Sequence, residues 1–125
     1  MSEEIINKAQ QLMSSDNLDE AINLLKPLAE QGNIIAKSNL GMAYSLYNEN
    51  GDFSRLDEAG KILNEACEAG EPSACHNLGT LWLGNIPALG KDLQKAAYYY
   101  LKARDLGGPV ATEEFYAAWE KELNG

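Results

Sequence analysis

A period of about 38 residues runs through the chain, and it restricts the fold more than any other feature. "LDEAINLLKPLAEQGN" (18–33) aligns with "LDEAGKILNEACEAGE" (56–71) at a shift of 38, so that Leu18, Asp19, Glu20 and Ala21 recur as Leu56, Asp57, Glu58 and Ala59, and Gly32 as Gly70. A further shift of 37 brings in "LQKAAYYYLKARDLGG" (93–108), with Ala96 under Ala59 and Gly107 under Gly70. Between them "AKSNLGMAY" (36–44) matches "ACHNLGTLW" (74–82), again 38 apart. A unit this short cannot bury its apolar face alone, so successive units must stack on one another.

Each unit reads as two helices. The first carries Ala36, Leu40, Gly41 and Tyr44, and again Ala74, Leu78, Gly79 and Trp82, offsets of four, five and eight that share one helical face. A mid-helix glycine costs about 1 kcal/mol against alanine, which implies close approach of a partner helix at that point. The second helix carries Ala59, Leu63 and Ala66, then Ala96, Tyr100 and Ala103, and ends in a glycine suited to a left-handed cap. "NENGDFSR" and "GNIPALGKD" are the links within units. Asp92 is expected to cap the helix from Leu93, and Asp16 or Asn17 the helix from Leu18, while Pro27 predicts a kink or an early break. Ile5, Ala9 and Leu12 indicate a shorter, degenerate opening helix. Pro109 is expected to open a terminal helix with Ala111, Phe115, Tyr116 and Trp119 on the first-helix pattern. The expectation is one all-α domain over 1–125, an α/α solenoid of about three helix pairs (3–32, 33–70 and 71–107) plus a capping helix at 109–123. Seven helices and no strand follow.

"AKSNLGMAY" and "ACHNLGTLWLGNIPALGKDLQKAAYYYLKARDLGG" resemble Sel-1-like repeats, longer-looped relatives of the tetratricopeptide repeat. The matching signature is Ala-x-x-x-Leu-Gly-x-x-Tyr, a glycine-bearing loop, Lys-Ala with a Tyr-Tyr pair, then Lys-Ala and a closing glycine. "LLKPLAEQGN" is similar to the lead-in of such a repeat, whereas residues 1–17 match poorly. The resemblance implies a right-handed solenoid whose concave face is lined by the first helices, and a role as scaffold or adaptor. Tetratricopeptide-like solenoids bind peptides or protein segments along that face. Counted from the Leu-Gly pairs, its lining is Gln10 and Met13, then Ser38, Met42 and Ser45, then His76, Thr80 and Leu83, with Glu113 and Glu120 closing the row. Methionine gives adaptable contact with a docked segment.

Cys67 and Cys75, the only cysteines, flank "EAGEP" at the corner between two units. A cysteine-rich, secreted bacterial branch of these repeats staples such corners with Cys pairs at this eight-residue spacing. Against that, the opening "MSEEIINKAQQ" lacks the basic flank and apolar core of a signal peptide, which places the expectation in the cytoplasm with reduced, core-packed thiols. A removed leader would reverse this to a secreted or periplasmic location and a disulfide. Two Cys with one adjacent His76 make a thin ligand set, so no metal is expected.

Chemistry leaves few traces. The sequence contains no glycine-rich phosphate loop, Gly-x-Ser-x-Gly, Ser-x-x-Lys or His-Glu-x-x-His, and Cys75 and His76 point about 100° apart on a helix. The reading is a non-enzyme without cofactor. Ten Lys+Arg against 19 Asp+Glu give a net charge of −9, which repels nucleic acid and anionic lipid and favours basic partners. No apolar run reaches a membrane span. Tyr99 and Tyr100 fall at core positions and Tyr98 outside, which leaves no stacking platform for bases. The leading expectation is an adaptor that binds a protein or peptide partner on its concave face. The alternative is an acidic immunity-type inhibitor that sequesters a basic toxin domain.

Overall fold

In a computed structural model, which describes residues 2–46, 55–84 and 89–125, the chain is all-helical. Seven helices lie among those residues: α1 (Ser2–Ser14), α2 (Leu18–Glu30), α3 (Ile34–Leu46), α4 (Leu56–Glu68), α5 (Pro72–Leu81), α6 (Leu93–Asp105) and α7 (Glu113–Asn124). Segments 47–54 and 85–88, the centres of the two long links, lie outside the described residues. The described ends of the second link meet in an isolated bridge between Leu83 and Lys91.

Each helix packs on its neighbours in sequence, and further contacts join α1 to α3 and α3 to α5. The first helices therefore form one layer and the second helices another, a solenoid-like arrangement. On the second-helix side α4 and α6 are tied by Lys102 Nζ to Glu68 Oε1 at 3.2 Å. Helix α3 has four helical neighbours, and nearly every residue from Ala36 to Tyr44 is buried in consequence.

The glycines explain how each pair closes. A Cβ on Gly41 would stand 2.6 Å from Cγ of Leu63 in α4, and one on Gly79 would stand 3.0 Å from the Ala96 carbonyl and the Tyr100 ring in α6. The side chain absent from the first helix is replaced by the large residue of the second, as the Ala-x-x-x-large pattern requires.

The corners share one geometry. Gly32, Gly70 and Gly107 adopt φ of 94°, 99° and 107°. After each, the next N–H bonds back to the carbonyl five residues earlier: Asn33 to Leu28, Glu71 to Ala66, Gly108 to Ala103. This Schellman pairing consumes carbonyls that a helix end leaves orphaned. The end of α1 is turned the same way by Asp16, at φ 66°. Asp16 thus lies in the turn that closes α1 and does not cap α2, and Asn17 precedes α2 without a side-chain cap bond. Asp92 does cap α6, its carboxylate accepting from the Lys95 N–H.

Three boundaries differ from the sequence expectation. α1 is not shorter than its neighbours, since it has 13 residues like α2, α3 and α4. Its inward residues are Ile6 and Ala9, while Ile5 is 36% exposed. α2 shows no early break: Pro27 is exposed in its closing turn and the helix runs on to Glu30. α7 begins at Glu113, not at Pro109, because the Thr112 hydroxyl caps the Phe115 N–H and the Tyr116 hydroxyl accepts the Val110 N–H. Residues 109–111 form a non-helical, bent lead instead of a first turn.

The stacked units bury two clusters. One gathers Ile6, Ala9, Ile22, Leu25, Leu40 and Tyr44 across α1 to α3. The other gathers Leu63, Ala66, Leu78, Leu81 and Ala103 around Cys67 and Cys75. Those cysteines are joined as a disulfide, against the expectation of free thiols. The glycine turn at Gly70 brings their Cα atoms to 4.8 Å, within bridging reach, and both side chains are fully buried.

Two outcomes follow from this packing. Gly79→Leu drives a side chain into Ala96 and Tyr100, so its melting temperature should fall far below that of Ser45→Leu, a change at a half-buried site. Equal melting temperatures would refute the pairing. Replacing both cysteines by alanine should cost about 2–3 kcal/mol, since the bridge closes a short loop in the unfolded chain. An unchanged denaturant midpoint would mean that the corner is held by its helix packing alone.

Candidate functional site

The layer of first helices was the expected binding face, and the structure divides its residues between two centres. The first lies between α1 and α3. Gln10, Met13, Ser14, Asn39, Met42 and Leu46 line a groove of about 370 Å³, and none of the six is charged. Gln10 Nε2 donates to Asn39 Oδ1 at 3.1 Å, and Asn39 Nδ2 donates to the Ile35 carbonyl at 2.9 Å. The amide of Asn39 is thereby fixed, while Gln10 is exposed and keeps its own carbonyl oxygen for another donor. Met13 and Met42 are half-buried along the same groove. Ser38 does not reach the face: it is 3% exposed, covered because α3 is surrounded by α1, α2, α4 and α5. Ser45 turns inward locally, its hydroxyl donating to the Met42 carbonyl at 2.7 Å.

The second centre joins α5, α6 and α7. His76 packs against Tyr100 and Phe115, with ring centroids 4.9 and 5.7 Å away. Tyr100 also meets Phe115 edge-on at 4.9 Å and Trp119 at 5.2 Å. The Thr80 hydroxyl donates to the His76 carbonyl at 3.2 Å, which leaves its lone pairs for the Tyr100 hydroxyl at 2.9 Å. Burial raises the Tyr100 phenol, partly offset by that bond, and burial holds the His76 imidazole below its usual range, so it is neutral at pH 7. His76 is thus committed to holding the terminal helix through Phe115, while Thr80, itself exposed, ties α5 to Tyr100 of α6. Around His76 this face is a packed junction more than an open surface.

The remaining residues of the expected row diverge. Leu83 lies beyond the end of α5, at its bridge with Lys91, and Trp82 beside it sits under Lys95 at 4.3 Å. Glu113 is exposed in the first turn of α7. Glu120 faces α6 instead, 3.5 Å from Arg104, along a separate seam between α6 and α7. The ten residues do not form one continuous row.

Asn39 and its repeat equivalent Asn77 were missed as site residues. The signal was present, since both occupy the shared "NLG" of the matched first helices. Among the described residues Asn77 Nδ2 and His76 Nδ1 are buried without a hydrogen-bond partner, whereas Asn39 is satisfied through α1 and its own helix.

No protein-family model matches the sequence, and no curated protein or solved structure matches it. Among the described residues no group of three or more His, Cys, Asp or Glu side chains could hold a metal ion, and no helix is long and apolar enough to cross a membrane.

His76 supplies a pH dependence. Its pKa is lowered from 6.5 in the folded state, so the unfolded chain binds the extra proton first as acid is added. Stability should be fully present above about pH 6.5 and decline as pH falls through that value toward the folded pKa. The difference in melting temperature between wild type and His76→Gln should narrow from pH 7.5 to pH 5 (about the span in which histidine titrates and carboxylates mostly do not). A difference that stays constant across that window would mean that His76 is not buried in neutral form.

Proposed function

We propose that this protein is a right-handed, Sel-1-like repeat module without enzymatic activity, which docks a protein or peptide segment along its layer of first helices. The α1/α3 groove carries this reading. Its walls combine two flexible methionines with a fixed amide pair, and it has no charge of its own. Apolar side chains of a docked segment would pack between Met13 and Met42, while Gln10 bonds its backbone. None of the net charge of −9 lies on the residues that line the groove, which suits a segment with apolar anchors and a basic periphery. Of the residues first assigned to the face, Gln10, Met13 and Met42 keep that role. Ser38 is withdrawn from it by burial.

Selection of peptides from a displayed library against the full-length chain tests the reading. Selected peptides should lose at least about tenfold in affinity on Met42→Asp, which buries a charge against their apolar anchors, and should tolerate high salt. Ligands indifferent to Met42→Asp, lost in salt and lost on reversing Glu113 and Glu120 to Lys would overturn it in favour of the acidic inhibitor.

A further inference from the structure

Helix α3 carries one stripe that packing within the fold leaves partly open. Ile35, Asn39, Met42 and Leu46 stand at offsets of four, seven and eleven, so they share a face. Asn39, Met42 and Leu46 line the groove against α1, and Ile35, one turn before Asn39, is 50% exposed. Along its length the stripe is apolar, then amide, then apolar again, with Met13 of α1 beside the second apolar stretch.

The amide at its centre has a fixed orientation. A backbone carbonyl only accepts, so the Asn39 group that lies 2.9 Å from the Ile35 carbonyl is its Nδ2 donor. Oδ1 of Asn39 then faces Gln10, which presents Nε2 to it at 3.1 Å. Gln10 is exposed, and it is left with one N–H and its Oε1. Those two groups complement the C=O and N–H of a single peptide residue. A helix consumes both in its own ladder, whereas an extended segment offers both along one edge. The spacing agrees. Ile35 and the midpoint between Met42 and Leu46 are about 13 Å apart along the helix. Residues i and i+4 of an extended segment share a face and are also about 13 Å apart.

Charge sets what flanks the anchors. None of the residues that line the groove is charged. α1 and α3 both pack back on α2, so their C-terminal ends, the negative ends of two helix dipoles, lie toward Met13 and Leu46. Asp16, itself exposed, lies in the turn just after Met13 and Ser14, its N–H on the Met13 carbonyl at 3.1 Å.

We propose that the α1/α3 groove takes an extended protein segment with apolar side chains at i and i+4. One anchor covers Ile35 and the other seats among Met13, Met42 and Leu46. The backbone N–H and C=O of residue i+2 pair with the amide of Gln10. A Lys or Arg next to the second anchor meets Asp16. This inference rests on the docking reading above and gives its ligand a conformation, a register and a charge.

The probe is acetyl-Lys-Leu-Thr-Ala-Thr-Leu-Lys-amide with a fluorescent label, titrated into the full-length chain by anisotropy. Its threonines favour the extended state, and a lysine at each end serves either chain direction. Saturable binding is expected, weakened about tenfold by Ile35→Asp or Met42→Asp, which place a charge against an apolar anchor. Asp16→Asn, which keeps a residue suited to positive φ, should weaken it about threefold. The analogue with lactate in place of alanine lacks the central N–H. It should bind the wild type about fivefold more weakly than the parent peptide does, and Gln10→Ala equally well. A peptide with its leucines three apart, which an extended chain turns to opposite faces, should not bind. Circular dichroism controls for folding, and all four substituted sites are at least partly exposed. Equal binding of amide and ester by the wild type, equal binding of the two leucine spacings, or no saturation at millimolar peptide overturns the inference. The docking reading is decided separately, by the library-selected peptides: helical ligands that are lost on Met42→Asp keep the groove and discard the extended register.

Discussion

The contact between a glycine of the first helix and a large side chain of the second, made in the second and third units, sets the geometry on which the other features depend. Gly41 receives Leu63 and Gly79 receives Tyr100; a Cβ at Gly41 would overlap the leucine, and one at Gly79 would press on the Ala96 carbonyl and the Tyr100 ring. The rotation of each pair is fixed by that insertion, because only one face of the first helix has the gap. Once fixed, the opposite faces of α1, α3 and α5 turn toward one another, and the layer of first helices forms as a by-product. The exchange of Leu63 for Tyr100 in the last full unit also has a consequence. A ring reaches farther than a leucine, and Tyr100 passes beyond Gly79 to meet His76, Phe115 and Trp119. The docking of α7 is therefore an extension of the same intra-pair contact.

The corners between units use one backbone solution with different reinforcements. The turn after α2 relies on Gly32 and on the Asn33 side chain, which accepts the Ala36 N–H. The turn after α4 adds the disulfide, which crosslinks the end of one unit to the start of the next in the middle of the array. The turn after α6 adds neither. It lengthens by a bent, non-helical stretch, and the Tyr116 hydroxyl closes it by accepting the Val110 N–H. The crosslink lies inside the second buried cluster, where a local opening would part α4 from α5, since Cys67 and Cys75 both belong to that cluster.

Much of this was legible because repetition lets one unit check another. The period, the paired helices, the close-approach glycines and the three left-handed caps all follow from alignment of the chain with itself. What was lost had no second copy to compare. Residues 1–17 match poorly, so Ile5 and Ile6 could not be told apart as the inward residue, and Asp16 gave no sign that it would take a position that glycine takes elsewhere. Pro109 sits where Pro72 opens α5, yet the competing caps from Thr112 and Tyr116 move the helix start. The site suffered from a different blindness. Counting along a helix gives the direction of a side chain, not the number of helices around it, and α3 has too many neighbours for Ser38 to stay exposed. Glu120 stays exposed, but it faces Arg104 of α6, a partner that counting along α7 alone does not reveal.

The distribution of charge gives the first-helix layer its character. α3 has Lys37 as its one charged residue and α5 has none, whereas α2, α4 and α7 are each acidic on balance. The acidic residues are thus concentrated on α2, α4 and α7, while α6 is basic on balance. Long-range attraction and local recognition are separated by this arrangement. The acidic flanks raise the encounter rate with a basic partner and are weakened by salt. The uncharged groove adds no Coulomb selectivity, so discrimination there must come from shape and from the amide of Gln10. A buried carboxylate in the groove would carry a desolvation penalty of its own, and its absence among the lining residues leaves the methionines free to adapt to different side chains. A surface of this kind fits many apolar anchors moderately well, provided that the segment bearing them is not itself acidic.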